Sequence, residues 1–263
     1  MSPDAATTIK VEGVTFSYGG KETLSDINFE AKAGEFIGLI GPNGSGKTTL
    51  MRCINGLLRP SKGTIYMDGK STSGMKIKDI AMICANVPAD CNEDFSLTVQ
   101  ELVFLGRYPH VNSMWWESRQ DETVVAEAIK KFRLEGLINR RLNELSSGEK
   151  ARALLAKAVV QQPKILLADE PSAHLDLRYQ LEVMETLWEL SRQGVTVLTA
   201  SHDMNLTSKF CDRVVMLNGG RTVATGRPVD VITAERIRDV YGVEVSVFRD
   251  GDEVFSIPRK SIR

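Results

Sequence analysis

An α/β fold built on a parallel sheet is predicted by three observations. Three strand-sized apolar runs stand out, Glu35 to Ile40, Lys164 to Ala168 and Val195 to Ala200. Each has the unbroken apolar character of a strand buried on both faces. The second and third runs each follow a segment of helical period, and strand–helix–strand alternation implies parallel pairing. A glycine-rich stretch leaves the first run and leads into a predicted helix, Thr48 to Leu57, which is the usual connection in such sheets.

The remaining elements follow in chain order. Ile9 to Tyr18 alternates apolar and polar residues, is broken by Gly13 and runs into Gly19-Gly20, so it reads as a strand pair entering a turn and opens an N-terminal antiparallel β subdomain. Ala33-Gly34 is a turn before the first core strand. Thr98 to Asn143 is rich in helical spacing and poor in strand signals. Val99, Leu102, Val103 and Leu105, ended by Gly106, outline one amphipathic helix, and Glu122 to Phe132 outlines another. A helical insert of approximately residues 90–148 within one domain spanning 1–263 is therefore expected. Near the C-terminus, Val245 to Ile257 alternates on both sides of Asp250-Gly251, a strong hairpin signal.

Composition narrows the function. Of 263 residues, 42% are hydrophobic, while 33 Lys and Arg face 34 Asp and Glu, for a net charge of −1. So balanced a chain lacks the positive field that non-specific nucleic-acid binding requires, and no nucleic-acid partner is expected. Its longest apolar runs fall far short of the ~20 residues that span a bilayer. The first ten residues carry neither a secretory nor an organellar pattern, so a cytosolic location is expected. Cys53, Cys84, Cys91 and Cys211 form no C-x-x-C pair and read as small buried hydrophobes or free thiols.

Chemistry begins at Gly41-Pro42-Asn43-Gly44-Ser45-Gly46-Lys47-Thr48. The pattern G-x-x-x-x-G-K-[ST] between a buried strand and a helix is a phosphate-binding P-loop. Its glycines let successive amides point at phosphate oxygens, and the helix N-terminus adds its positive dipole. Lys47 then reaches the β and γ phosphates, and the Thr48 hydroxyl is left for Mg²⁺. The second core strand ends in Leu167-Ala168-Asp169-Glu170, placing two carboxylates at the ligand-binding edge of a parallel sheet. Asp169 suits the Mg²⁺ shell through water, and Glu170 suits the orientation of a water attacking the γ-phosphate.

With Leu145-Ser146-Ser147-Gly148-Glu149 upstream of that strand, these features resemble the nucleotide-binding subunits of ABC transporters, over nearly the whole chain. The resemblance implies a P-loop ATPase core that binds ATP and Mg²⁺. It gives Tyr18 the role of stacking on adenine and extends ATP binding from Gly41 through Thr49. It makes His202 the switch histidine at the γ-phosphate, and Ser172 to Asp176 the loop after the catalytic Glu170. Read by itself, Tyr18 suits a core or edge aromatic, and His202 suits a satisfied polar residue at a strand end. Leu145 to Glu149 resembles the signature loop, in which Ser146, Ser147, Gly148 and Glu149 would act on the ATP of a second copy in a head-to-tail dimer. Ser146 with Glu149 three residues on is also an ordinary capping box.

Within the family, Thr98 to His110 and Tyr241 to Val245 are similar to importers of iron chelates, haem and cobalamin. The implied partners are two membrane permease subunits and a separate substrate-binding protein, with the chain peripheral on the cytoplasmic face of the membrane. A soluble ATPase of the same family and a regulatory nucleotide-binding protein are the alternatives. Trp115-Trp116 reads as a docking patch or as core of the insert. Two departures from the family stand out. Ala89 occupies the position of the usual Gln beside Mg²⁺, with Asn86 or Asp90 as substitutes if the loop shifts. Ser147 replaces a glycine of the signature.

Overall fold

The computed structural model describes residues 7–89, 96–110, 119–251 and 253–262. The chain begins with β1 (Thr7–Tyr18), β2 (Lys21–Lys32), β3 (Phe36–Ile40), α1 (Lys47–Ile54), β4 (Lys62–Met67), β5 (Lys70–Ser71), α2 (Ile77–Ala81) and β6 (Cys84–Val87). There follow α3 (Val99–Leu105), α4 (Arg119–Lys131), α5 (Ser147–Val160), β7 (Ile165–Asp169), α6 (Leu177–Arg192), β8 (Thr196–Ala200) and α7 (Met204–Phe210). The last elements are β9 (Arg213–Asn218), β10 (Arg221–Gly226), α8 (Pro228–Val231), α9 (Ala234–Tyr241), β11 (Val243–Asp250) and β12 (Glu253–Ser261).

The central sheet has the order β10-β9-β3-β8-β7-β6, parallel except for the β9–β10 edge pair. Residues of β3, β7 and β8 are buried throughout, because successive side chains enter different cores on the two faces. Leu166 and Ala168 join Phe36 and Val197 against α3 to α6, whereas Ile165 and Leu167 join Ile37, Leu39 and Leu198 against α1 and the N-terminal strands.

Those strands form an antiparallel sheet of order β2-β1-β4-β5. Ile9 to Tyr18 is one strand and not a strand pair; its partners are β2 and β4, and Gly13 sits at a register break between Val11 and Val14 in the pairing with β2. A bulge keeps the chain in the sheet where the alternation breaks. Helix α1 is shorter than its periodicity predicts: the chain turns at Asn55 and at Gly56, where φ is 78°.

Between β6 and β7 the described chain is helical. Thr98 and Glu101 close a capping box at the start of α3, which satisfies two amides that have no partner within the helix. Arg107, buried after α3, pairs with Asp121 of α4 at 2.7 Å and donates to the Val160 carbonyl of α5 at 2.6 Å. One guanidinium thereby ties three helices together, and removing it would leave buried acceptors unpaired. Trp115, Trp116, Cys91 and Asp90 lie outside the described residues. Cys53, Cys84 and Cys211 are buried free thiols, with burial pushing the first two up to about 12. Among the described residues no helix is long and apolar enough to cross a membrane.

The C-terminal hairpin β11–β12 packs on α7 and α9. Asn205 of α7 accepts from the Ser256 amide at 2.8 Å, and Ser208 accepts from the Val254 amide at 2.7 Å. Val254 is fully buried in a third core with Ile40, Met216 and Ile237, against which Tyr241 also packs.

Candidate functional site

Register brings the site together. Ala200 of β8 is level with Leu39 of β3 on one side and with Asp169 of β7 on the other. Gly41, Glu170 and His202 therefore leave three adjacent strands at one carboxyl-terminal edge, where parallel sheets bind ligands.

At that edge the loop after β3 wraps the start of α1. Gly46 caps α1 with φ 103°, and a Cβ there would lie 2.6 Å from a Leu24 methyl and 3.2 Å from the Thr23 carbonyl. At Gly41 a Cβ would lie 2.2 Å from the Leu217 carbonyl. Glycine is required at Gly41 because the Leu217 backbone fills the space, and at Gly46 because its left-handed φ strains any side chain. A cavity of about 160 Å³ opens over this loop, lined by Thr23, residues 43–49 and Glu170.

Lys47 is buried, and its Nζ donates to the carbonyls of Gly41 at 2.8 Å and Pro42 at 3.3 Å. Burial pulls its pKa down, while the negative charges of Glu170 and Asp169 push it back up. Asp169 is also buried, and burial raises its carboxyl above the usual range, opposed by a hydrogen bond with the Thr48 side chain. Its Oδ1 has no hydrogen-bond partner, nor does the buried Ser45 hydroxyl. Unpaired buried oxygens are costly. A carboxylate oxygen with no donor, beside a threonine hydroxyl, is a donor set of the hard-oxygen type that Mg²⁺ takes.

Glu170 lies one residue beyond β7 with φ 50°, a backbone conformation that costs a non-glycine residue about 1–3 kcal/mol. Its amide donates to the Ala200 carbonyl at 3.0 Å, and its Oε1 meets His202 Nε2 at 2.5 Å. The strained turn thus aims the carboxylate toward β8 and the phosphate cavity.

A second cleft, of about 380 Å³, adjoins Glu170 and is lined by Pro88, Ala89, Ser147, Lys150 and His174 among others. Ala89 and Ser147, the two departures noted in the sequence, therefore face one cleft; Asn86 lies within β6. The Ser146 hydroxyl and Glu149 carboxylate close a capping box on α5: the Ser146 amide and hydroxyl each donate to Oε2 at 2.8 Å. Those bonds hold the Glu149 carboxyl below the ordinary range.

Ser146, Gly148, Glu149 and Asp176 do not line the phosphate cavity of their own chain. Asp176 caps α6 by accepting from the Tyr179 amide at 3.1 Å. Tyr18 is 45% exposed at the β1–β2 turn, its ring edge-on to Phe16 at 4.8 Å. Thr23 and Lys150 line these clefts without any signal in the sequence, because only strand and loop packing brings them there, whereas His174 belongs to the Ser172–Asp176 loop already singled out.

Known proteins resemble this chain over most of its length. Residues 24–173 match the family model described as ABC transporter. The chain is 37% identical over 253 residues to the petrobactin import ATP-binding protein FpuC of Bacillus anthracis, covering 96% of this chain and 93% of that protein. It is 33% identical over 245 residues to the hemin import ATP-binding protein HmuV of Rhodococcus jostii, covering 93% and 83%. Among solved structures, the ATP-binding cassette MJ0796, described as a dimer in a post-hydrolysis state bound to ADP and Pi, superposes with a TM-score of 0.74 at 28% identity, covering 84% of this chain and 98% of that one. With its P-loop, its paired strand-end carboxylate and histidine, and the matched family model, this chain belongs to the ABC transporter family as one of its ATP-hydrolysing cassettes.

Proposed function

We propose that this chain binds and hydrolyses Mg-ATP to drive a membrane importer for an iron chelate, haem or cobalamin. The observation that carries the reading is the convergence of Lys47, Asp169, Glu170 and His202 on one edge, with the Ser146–Glu149 turn outside the phosphate cavity of its own chain.

In this reading the amides of residues 43–49 hold the phosphates and Tyr18 supports the adenine. Lys47 exchanges the Gly41 and Pro42 carbonyls for phosphate oxygens, a stronger, charge-assisted pairing. Thr48 and Asp169 would hold Mg²⁺, which when bound offsets phosphate charge. Glu170 orients the attacking water and accepts its proton, and His202 fixes the Glu170 carboxylate.

Ser146, Ser147, Gly148 and Glu149 complete the site of a second copy in a head-to-tail dimer, beside the loop of Asp176. Binding closes the pair and phosphate release opens it, moving attached permeases. Exposed apolar side chains support docking on a membrane partner. Ile77 and Met82 lie at the two ends of α2, which packs on the turn carrying Tyr108, and Leu105 is in the adjoining α3. Two permease subunits, a separate substrate-binding protein and a place on the cytoplasmic face of the membrane follow from this reading.

The test is Glu170→Gln with Mg-ATP, followed by size exclusion with light scattering. A homodimer that appears with ATP and disperses with ADP is expected; a monomer at saturating ATP and micromolar protein overturns the composite site. Co-purification of the chain with a permease tests the importer assignment, and its recovery without any membrane subunit from cells expressing both counts against it.

A further inference from the structure

Gly148 is helical, the second residue of α5, and its backbone needs no glycine. With no backbone conformation that calls for glycine, its presence asks for a steric reason. That reason lies within the same chain. A Cβ on Gly148 would stand 2.7 Å from Cγ and 2.8 Å from both Cδ atoms of Tyr179. The bare backbone of the Ser146–Glu149 turn therefore rests against the face of the tyrosine ring.

Tyr179 is itself held in place. It is the third residue of α6, its amide is capped by Asp176 Oδ1 at 3.1 Å, and the Arg178 guanidinium lies 5.8 Å from its ring centre while pairing with Glu182 at 3.0 Å. One ring thus joins the first turns of two helices, α5 behind Ser146 and α6 behind Asp176. Both segments are ones that the proposed dimer presents to its second copy.

We infer that Tyr179 is a positioning residue: its ring sets the height of the Ser146–Glu149 turn relative to the Asp176 loop, and Gly148 is glycine to admit that ring. The inference rests on the composite-site reading above. It predicts an effect on association between copies and none on nucleotide capture by one copy, since neither residue lines the phosphate cavity.

The experiment measures ATP-driven dimerisation by sedimentation in the Glu170→Gln background, with binding of a fluorescent ATP analogue to monomer as the second readout. Gly148→Ala overpacks the contact and is expected to weaken dimerisation by roughly tenfold or more. Tyr179→Ala also weakens it, and Tyr179→Phe, which keeps the ring, restores it. In Gly148→Ala/Tyr179→Ala the added methyl has room, so the double variant dimerises no worse than Tyr179→Ala alone. Analogue binding to the monomer stays unchanged in Tyr179→Ala and Tyr179→Phe, since Tyr179 does not line the phosphate cavity.

An equal cost of Gly148→Ala with and without the ring would overturn the inference, because the glycine would then serve an approach from outside the chain. Unchanged dimerisation in Tyr179→Ala would also overturn it, and this arm suffices if Gly148→Ala fails to fold. If Glu170→Gln alone stays monomeric with ATP, the composite-site reading fails and the positioning role falls with it.

Discussion

Oε1 of Glu170 and Nε2 of His202 lie 2.5 Å apart at the ends of the neighbouring strands β7 and β8. In the proposed reading this contact joins the residue that orients water with the one that holds its carboxylate, so both would act through the same short contact. Glu170→Gln and His202→Ala should each retain ATP binding while hydrolysis falls by ~10² or more. The double variant should be little worse than the poorer single one, since the two act as a unit. Steady-state phosphate release with calorimetric ATP titration checks this; fully multiplicative losses would separate the two roles.

Lys47 is held by two carbonyls of its own loop, so its charge is poised over the phosphate cavity before nucleotide arrives. Lys47→Ala should lower ATP affinity by roughly tenfold or more, the loss of a charge-assisted contact. Isothermal titration reads this directly, and wild-type affinity would contradict the phosphate-binding assignment.

The Asp169 carboxyl is raised mainly by burial, so the fold disfavours its charged form. A folded value above the unfolded one makes this group's contribution to stability greatest below the unfolded value, and it is lost as pH rises through the folded value. At neutral pH the ionised group is therefore a net liability, which the Thr48 hydrogen bond and nearby cationic side chains offset in part and a bound cation would relieve further. Asp169→Asn should raise the thermal midpoint of the nucleotide-free protein by a few degrees, ~1 kcal/mol being worth about 2–4 °C at this size, while weakening Mg²⁺-dependent ATP hydrolysis. Scanning calorimetry with and without Mg-ATP checks both halves; a lower midpoint would show that the carboxylate is stabilising as it stands.

Ala89 and Ser147 line one cleft with Glu170. The Ala89 side chain offers no oxygen to the site, and in the composite-site reading the Ser147 side chain would stand beside the phosphate that approaches the turn. Ala89→Gln with Ser147→Gly should raise basal ATPase activity several-fold, a barrier change of about 1 kcal/mol. An unchanged or lower rate would mean that the natural pair already performs that work.

Much of this molecule was legible before folding because its signals are local. The runs Glu35 to Ile40, Lys164 to Ala168 and Val195 to Ala200 are nearly all apolar, and a strand buried on both faces leaves no other pattern. Gly41 to Thr48 is read from spacing alone, since phosphate binding needs consecutive amides and so consecutive residues. Asp250-Gly251 marks its hairpin for the same reason, and the structure pairs β11 with β12 around it. The strand β6, by contrast, is four residues long and carries no periodicity of its own; only its pairing with β7 makes it a strand. Ile9 to Tyr18 misleads because a bulge at Gly13 interrupts alternation without ending the strand.

The sequence by itself determined the fold class, the P-loop, the carboxylates at the end of β7 and the cap at Ser146, all of which depend on residues within a few positions of one another. Tertiary structure alone decided that His202 reaches Glu170, that Ala89 shares a cleft with Ser147, and that the Tyr179 ring covers Gly148. Those contacts are set by the register of parallel strands and by the close approach of α5 to α6. Both arise from packing a common core, in which residues far apart in the chain compete for the same volume.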